Sequence, residues 1–375
     1  MPRVDRLGCP AARRAARVWL AVLLLLQVVT PLRAQDAPTV EVELGGYAQF
    51  QYQTTSVDLP DDVASSSLET RRVRLAVGLT IDDWITATIE PDYALGELDL
   101  ADVWVDLAFS PAFRIKVGQY KKPFSLVELS SSTRLIPIER GVRIAGLASE
   151  LDASGLFETL GSELLLPEEY ALLDGLGYSG RDLGVQAHGE IGRLGYAVGV
   201  FNGEGQDRAD LHEGKSASGR LSFAPSGELP LRLGGAVGYR ETFDDDPVRG
   251  VAGVAFELDA EWGEFRRPGL HAVAEVAAGE NLGAVEDDFR GAQAQAGWFL
   301  ERGGDHLEGV DIHGRASWGD PRADVDEDEA WLLTPGMALY FYGRNRVLLD
   351  WDLFLPAADA LETRNALRAQ IQVHF

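Results

Sequence analysis

The chain has 375 residues, 46% hydrophobic and 25% charged, with a formal net charge of −25 and one cysteine. That length suffices for one large domain or two ordinary ones. The acidic balance offers no basic footprint for nucleic acid, so none is expected as a partner. A single thiol, Cys9, excludes a disulfide framework and a cysteine-built metal site.

The first 34 residues read as a cleaved export signal. MPRVDRLGCPAARRAARV is Arg-rich, WLAVLLLLQVV is apolar, and PLRA before QDAPTV offers a small residue at the cut. The apolar run is too short for a spanning helix. The segment carries six Arg and one Asp, so its removal deepens the net charge from −25 to −30 and takes Cys9 with it. No later stretch reaches the roughly 20 apolar residues of a transmembrane helix. The remaining choice is between a soluble exported protein and a membrane β-barrel.

From residue 40 onward the hydrophobic period is two. In RRVRLAVGL, Val73, Leu75, Val77 and Leu79 oppose Arg72, Arg74, Ala76 and Gly78. In DVWVDLAF, Val103, Val105, Leu107 and Phe109 oppose Asp102, Trp104, Asp106 and Ala108. FRIKVG sets Phe113, Ile115 and Val117 against Arg114, Lys116 and Gly118, and the last strand sets Leu367, Ala369, Ile371 and Val373 against Arg368, Gln370, Gln372 and His374. A soluble sandwich also alternates, but these segments are longer than its usual strands and match the 9–11 residues of a lipid-spanning strand. Aromatics gather near strand ends, at Trp84, Phe109, Trp262, Trp318 and Phe375, as interfacial girdles require.

Sixteen strands are predicted, at about 40–54, 70–81, 84–92, 98–109, 113–120, 183–191, 194–202, 217–224, 231–240, 250–262, 270–279, 291–300, 309–318, 332–342, 346–354 and 364–375. In hydrocarbon an open sheet edge is intolerable, so the fold class is an all-β transmembrane antiparallel barrel whose last strand pairs with its first. An even strand number puts both ends on one, periplasmic side. The connection 121–182 is out of proportion and is expected to fold inward as a constriction, with an outward lid as the alternative.

The basic residues of the first third cluster. Arg72, Arg74, Arg114 and Lys116 are expected on the lumen face, with Lys121, Lys122, Arg134, Arg140 and Arg143 in or beside the long connection. Such a cluster beside low-dielectric wall draws anions, and Arg suits phosphate. The opposing reading is that Asp102 and Asp106 pair with Arg72 and Arg74 and cancel the field. Anion preference, weak cation preference and no preference therefore stay open, because the narrowest ring decides. The histidines are scattered singly, so no enzyme, cofactor or metal centre is expected. A structural or adhesive barrel with a plugged lumen is the rival class.

These residues also carry a resemblance. YKKPFSLVELSSSTRLIPIER after FRIKVGQ, with GYSGRDLGVQAHGE and YAVGVFNGEG further on, resembles the phosphate-selective porin O and P family, in the family's order. Lys121, Pro123, Phe124, Ser125, Glu128, Ser131, Glu139 and Arg140 match its motif block. The resemblance implies a sixteen-stranded outer-membrane porin, trimeric, passing small anions such as phosphate by diffusion past Arg and Lys at an in-folded third loop. It also implies contact with outer-membrane lipid and lipopolysaccharide, and insertion by the barrel assembly machinery through the C-terminal strand ending in Phe375. Unlike the lysine-rich constriction of strongly selective members, residues 144–180 here contain no Lys.

Overall fold

A computed structural model describes residues 38–55, 66–94, 97–140, 176–208, 214–243, 250–281, 287–320, 322–327, 329–357 and 363–375. The export segment 1–34 and Arg143 lie outside the described residues.

The chain forms a closed barrel of sixteen antiparallel strands, each paired with its sequence neighbours. In chain order these are β1 (Val40–Thr55), β2 (Ser66–Ile81), β3 (Ile85–Ala94), β4 (Glu97–Ser110), β5 (Phe113–Lys121), β6 (Arg181–Ile191), β7 (Leu194–Phe201) and β8 (Ser216–Phe223). The second half supplies β9 (Leu231–Phe243), β10 (Gly250–Trp262), β11 (Gly269–Asn281), β12 (Asp287–Glu301), β13 (Gly309–Asp320), β14 (Ala330–Tyr340), β15 (Arg346–Pro356) and β16 (Arg364–His374). One short helix, α1 (Leu126–Leu129), follows β5. No helix among the described residues is long and apolar enough to cross a membrane; the strands do so.

All sixteen expected strands are present, most within a few residues of their expected bounds. The largest differences are at β2, which starts at Ser66 and not 70, and β12, which starts at Asp287 and not 291. Both extensions, SSLE and DDFR, are mostly polar, as strand ends that project beyond the lipid band are free to be. Alternation therefore does not mark them.

Closure joins β1 to β16 from Tyr47 opposite His374 to Thr55 opposite Ala366. The last residue seals the seam: the Phe375 amide donates to the Gly46 carbonyl at 3.1 Å, and the Gly46 amide donates back at 3.0 Å. Every spanning strand thus has two partners, which is what a lipid environment demands of a sheet.

Period-two alternation sorts the side chains as expected. On β15, Leu349 and Trp351 face out, while Asp350 and Asp352 are buried within. On β16, Leu367, Ile371 and Val373 face out, while Arg368, Gln370 and Gln372 are buried within. In a water-soluble sheet the polar face would be the exposed one; here the apolar face is exposed, and it meets lipid. Trp84, Phe109, Trp262 and Phe375 stand exposed near one rim, and Trp318 packs on Trp331 with centroids 6.5 Å apart near the other.

Both ends of the barrel sequence, β1's start and β16's end, lie at the rim that also carries the β2–β3, β4–β5 and β6–β7 turns. The β2–β3 turn, residues 82–84, holds Asp82 and Asp83 in the left-handed region (φ 47° and 59°), and only two residues each, 111–112 and 192–193, make the β4–β5 and β6–β7 turns. The separation into short turns and long loops is imperfect. Only residues 95–96 join β3 to β4 at the loop rim, while 224–230, 263–268 and 302–308 lie at the turn rim.

Candidate functional site

The described part of the long connection, 122–140 and 176–180, is bonded to inward-facing side chains at three stations. The first is its root. The Lys122 amide donates to the Gly180 carbonyl at 2.8 Å, and the Lys122 ammonium donates to the Gly177 carbonyl at 2.5 Å. Asp182 accepts the Leu183 amide and, from the β7–β8 connection, the Gly203 amide, both at 2.8 Å. Phe124, Tyr178 and Phe289 pack in series with centroids 6.0 and 5.8 Å apart. Burial pushes the Tyr178 phenol up, so it stays a neutral donor to the Glu280 carbonyl at 2.7 Å.

The second station is α1. Ser125 stands at φ 62°, turning the chain, and caps the helix through its hydroxyl. Its amide and that of Leu126 donate to the two Glu257 oxygens at 2.9 Å. The Ser125 hydroxyl and the Val127 amide donate to Glu275 at 3.0 and 3.1 Å. Two wall carboxylates therefore take up the free amides at the start of a helix, where negative charge is favoured. Arg220 offsets Glu257 at 2.9 Å and Asp259 at 2.5 Å.

The third station spans 132–140. The Ser132 hydroxyl bonds the Tyr47 hydroxyl at 2.7 Å. Arg346 donates to the Leu135 carbonyl at 2.8 Å, and the Ile138 amide donates to Asp350 at 2.6 Å. The Glu139 carboxylate holds Arg71 at 2.7 Å and Arg72 at 3.5 Å, while its carbonyl accepts from Arg315. Ile138 is buried with Phe299, Ala338, Tyr340 and Leu348, an apolar patch on the inner wall.

Two glycines make room for the wall's own polar contacts. Across β14, His313 Nε2 lies 2.9 Å from the Asp350 carboxylate, and the residue between them is Gly336. Likewise His271 Nε2 lies 3.1 Å from Asp311 across Gly297 of β12. A Cβ on Gly297 would sit 2.5 Å from both groups.

The expected basic residues have separate fates. Arg72 bonds Gln49 at 3.0 Å as well as Glu139. Arg74 pairs with Asp92 at 2.7 Å and Glu90 at 3.2 Å. Arg114 pairs with Asp106 at 2.7 Å. Lys121 donates to the Glu128 and Ser130 carbonyls, and Arg140 to the Val127 and Ser130 carbonyls. Lys116 lies over the Trp104 ring, 4.1 Å from its centroid. Arg134 is exposed. The expected pairing of Asp102 and Asp106 with Arg72 and Arg74 does not occur. β3 lies between β2 and β4, so Arg74 meets Asp92 directly across the β2–β3 pair, and Asp102 instead holds Arg181 at 2.8 Å.

Two cavities open at the turn rim. The larger, about 1020 Å³, is lined by Arg134, Arg232, Arg266, Arg344, Glu261 and Phe265 among others. The smaller, about 530 Å³, includes Arg114, His188, Gln186 and Arg220. Among the described residues no group of three or more His, Asp or Glu side chains is arranged to hold a metal ion.

Sequence reasoning passed over the anchors Glu257, Glu275 and Asp350 as such. Each is an inward carboxylate on a strand, and alternation marks that face; nothing local says that its partner is a backbone amide more than a hundred residues away.

A closed barrel of sixteen strands, apolar outside and polar within, defines an outer-membrane porin of the Gram-negative type. Residues 42–260, more than half of the chain, match the model of the phosphate-selective porin O and P family, and the chain belongs to that family. The match ends within β10. No curated protein sequence matches the chain. Among solved structures it resembles an anion-selective porin from Comamonas acidovorans, with a TM-score of 0.59 and 12% identity over 90% of this chain and 100% of that one. It also resembles OmpTdeltaL8, a loop-deletion mutant of an outer membrane protein of Vibrio cholerae, with a TM-score of 0.55 and 11% identity over 90% and 99%. The outer membrane channel DcaP of Acinetobacter baumannii gives 0.53 and 9% over 92% and 100%. At these identities the likeness is one of fold. The family is one of porins, not enzymes, and the Comamonas and Acinetobacter proteins are by name a porin and a channel.

Proposed function

We propose that the chain is a diffusion porin preferring small inorganic anions such as phosphate, with 121–182 folded inward to narrow the path. The inward fold is supported by the three stations, whose partners lie on β1, β2, β10, β11, β13 and β15. One observation carries the anion preference. Arg134, Arg232 and Arg344 are exposed and have no ion-pair partner among the described residues, and all three line the 1020 Å³ cavity. Guanidinium groups gathered around a wide mouth raise the local anion concentration. The acidic balance of the chain favours the weakly cation-selective alternative, but the inner-wall carboxylates Asp92, Asp102, Asp106, Glu257, Asp259 and Asp352 are each held by an arginine.

In the same reading residues 1–34 are removed on export and the turn rim faces the periplasm. The outer wall meets lipid and lipopolysaccharide, the C-terminal strand is the signal to the assembly machinery, and three copies associate. The test is the reversal potential of single channels in a planar bilayer under a KCl gradient. A chloride-directed value is expected, with inorganic phosphate reducing the chloride current. A cation-directed value overturns the anion preference, and absence of conductance overturns the porin.

A further inference from the structure

The inner wall is not evenly covered. Arg72 on β2, Arg315 on β13 and Arg368 on β16 are 4% exposed or less. On β5 and β6, by contrast, the side chains of Arg114 and His188 are 33% and 22% exposed, and Lys116 and Trp104 are only half-buried. Among the described residues, the stations of the segment 124–140 lie on strands from β10 round to β2, whereas on the wall from β4 to β6 Arg114, Lys116 and His188 keep part of their surface exposed.

On that open wall the charges are unequally engaged. Lys116 stands directly across from Asp106 in the β4–β5 register. Asp106, however, is taken by Arg114 at 2.7 Å and faces His188 at 3.2 Å. Asp102 is taken by Arg181 at 2.8 Å. With both neighbouring carboxylates occupied, the Lys116 ammonium rests on aromatic faces, 4.1 Å from the Trp104 centroid and 5.3 Å from that of Tyr120. It has no hydrogen bond or ion pair among the described residues.

The distinction is electrostatic. A carboxylate partner cancels a lysine's charge at a distance, whereas an aromatic ring holds the ammonium through its quadrupole and leaves the net charge in place. The scaffold brings β5 close to β4 at this point. Gly118 is opposite Trp104 in register and adopts φ 134°, and a Cβ there would lie 3.0 Å from Trp104 Cβ and 2.2 Å from the Val103 carbonyl oxygen.

We infer that the permeation path runs along the β4–β6 wall and that Lys116, held on Trp104 and Tyr120, is a selectivity-determining charge of that path, with Trp104 its positioning residue. This rests on the porin reading but not on the sign of the wild-type preference, because the proposal concerns how selectivity changes when this one charge is lost or displaced.

The experiment compares reversal potentials of Lys116→Gln, Lys116→Arg, Trp104→Leu and Trp104→Phe channels with wild type under the same KCl gradient. Lys116→Gln is expected to lower the anion-to-cation permeability ratio about sixteenfold, a Boltzmann factor of about four for one unit charge about 5 Å from the permeant ion in water, acting with opposite sign on anion and cation. Lys116→Arg should retain the wild-type value. Trp104→Leu should reproduce part of the shift with the lysine still present, since the ammonium is then no longer held at this point of the wall, while Trp104→Phe should keep the wild-type value. Barrel assembly is checked by the heat-dependent mobility shift on electrophoresis, so that a misfolded variant is not mistaken for an unselective one. A Lys116→Gln channel that conducts with an unshifted reversal potential overturns the proposal, and a Trp104→Leu channel at the wild-type value removes the positioning role. A cation-directed wild type would overturn only the anion preference.

Discussion

The Ser125 hydroxyl lies 3.0 Å from both carboxylate oxygens of Glu275, a residue 150 positions later in the chain. Glu275 also takes the Val127 amide and a Gln293 side-chain amide, so one inward carboxylate on β11 anchors the helix that opens the long connection. Hydrogen bonds to a charged acceptor contribute about 1.5–3 kcal/mol each. Glu275→Ala should therefore free α1 from the wall without opening the barrel. The expected result is a noisier, larger single-channel conductance with an unchanged heat-dependent mobility shift. Channels as quiet as wild type would show that the station does not restrain the segment.

Asp350 does the same work at the other end, accepting the Ile138 amide while facing His313. Asp350→Ala alone should raise open-channel noise, and Glu275→Ala with Asp350→Ala should raise it by more than the two single effects combined. Two anchors on one segment back each other up, so their losses are not independent. Simple additivity of the noise power would argue that the stations act separately.

Lys121 and Lys122 should contribute little to selectivity. Their ammonium groups are bound to carbonyl oxygens within the connection and its root, so they act as fasteners. Lys121→Gln and Lys122→Gln are expected to leave the reversal potential unchanged while making the connection easier to cut with added protease. A shift as large as that of Lys116→Gln would place them on the path instead.

Gly297→Ala tests the inner wall itself. The added methyl would lie 2.5 Å from Asp311 Oδ1 and His271 Nε2, so these side chains must part. Overpacking of this kind costs about 1–3 kcal/mol. A lower urea midpoint for barrel unfolding is expected, and an unchanged midpoint would mean that the two groups shift without loss.

The barrel was legible because period-two alternation repeats along most of the chain, and the sign of exposure follows from strand length. The face of Leu367 or Asp350 needs no more than counting from a neighbour. Which charges remain active was less legible. Arg72 and Lys116 look alike in sequence, each a base on a lumen face, yet one is sealed against Glu139 and the other rests on an indole. That difference depends on which strand lies between which, and on where a distant segment comes to rest. The signature block KKPFS is likewise conspicuous in sequence, but in the fold Lys122 and Ser125 hold the connection in place.

The seam between Gly46 and Phe375 sets the order of events in the life of the protein. β16 and Phe375 pair with the first strand, so the cylinder cannot close until the sixteenth strand has been made. Until then β1 and the growing end are bare sheet edges, the kind that recruit other strands. The molecule must therefore be escorted as an open sheet or an unfolded chain and completed in a single late step. A deletion of even the terminal Phe375 would be felt first as a failure to finish, well before any effect on what the finished channel conducts.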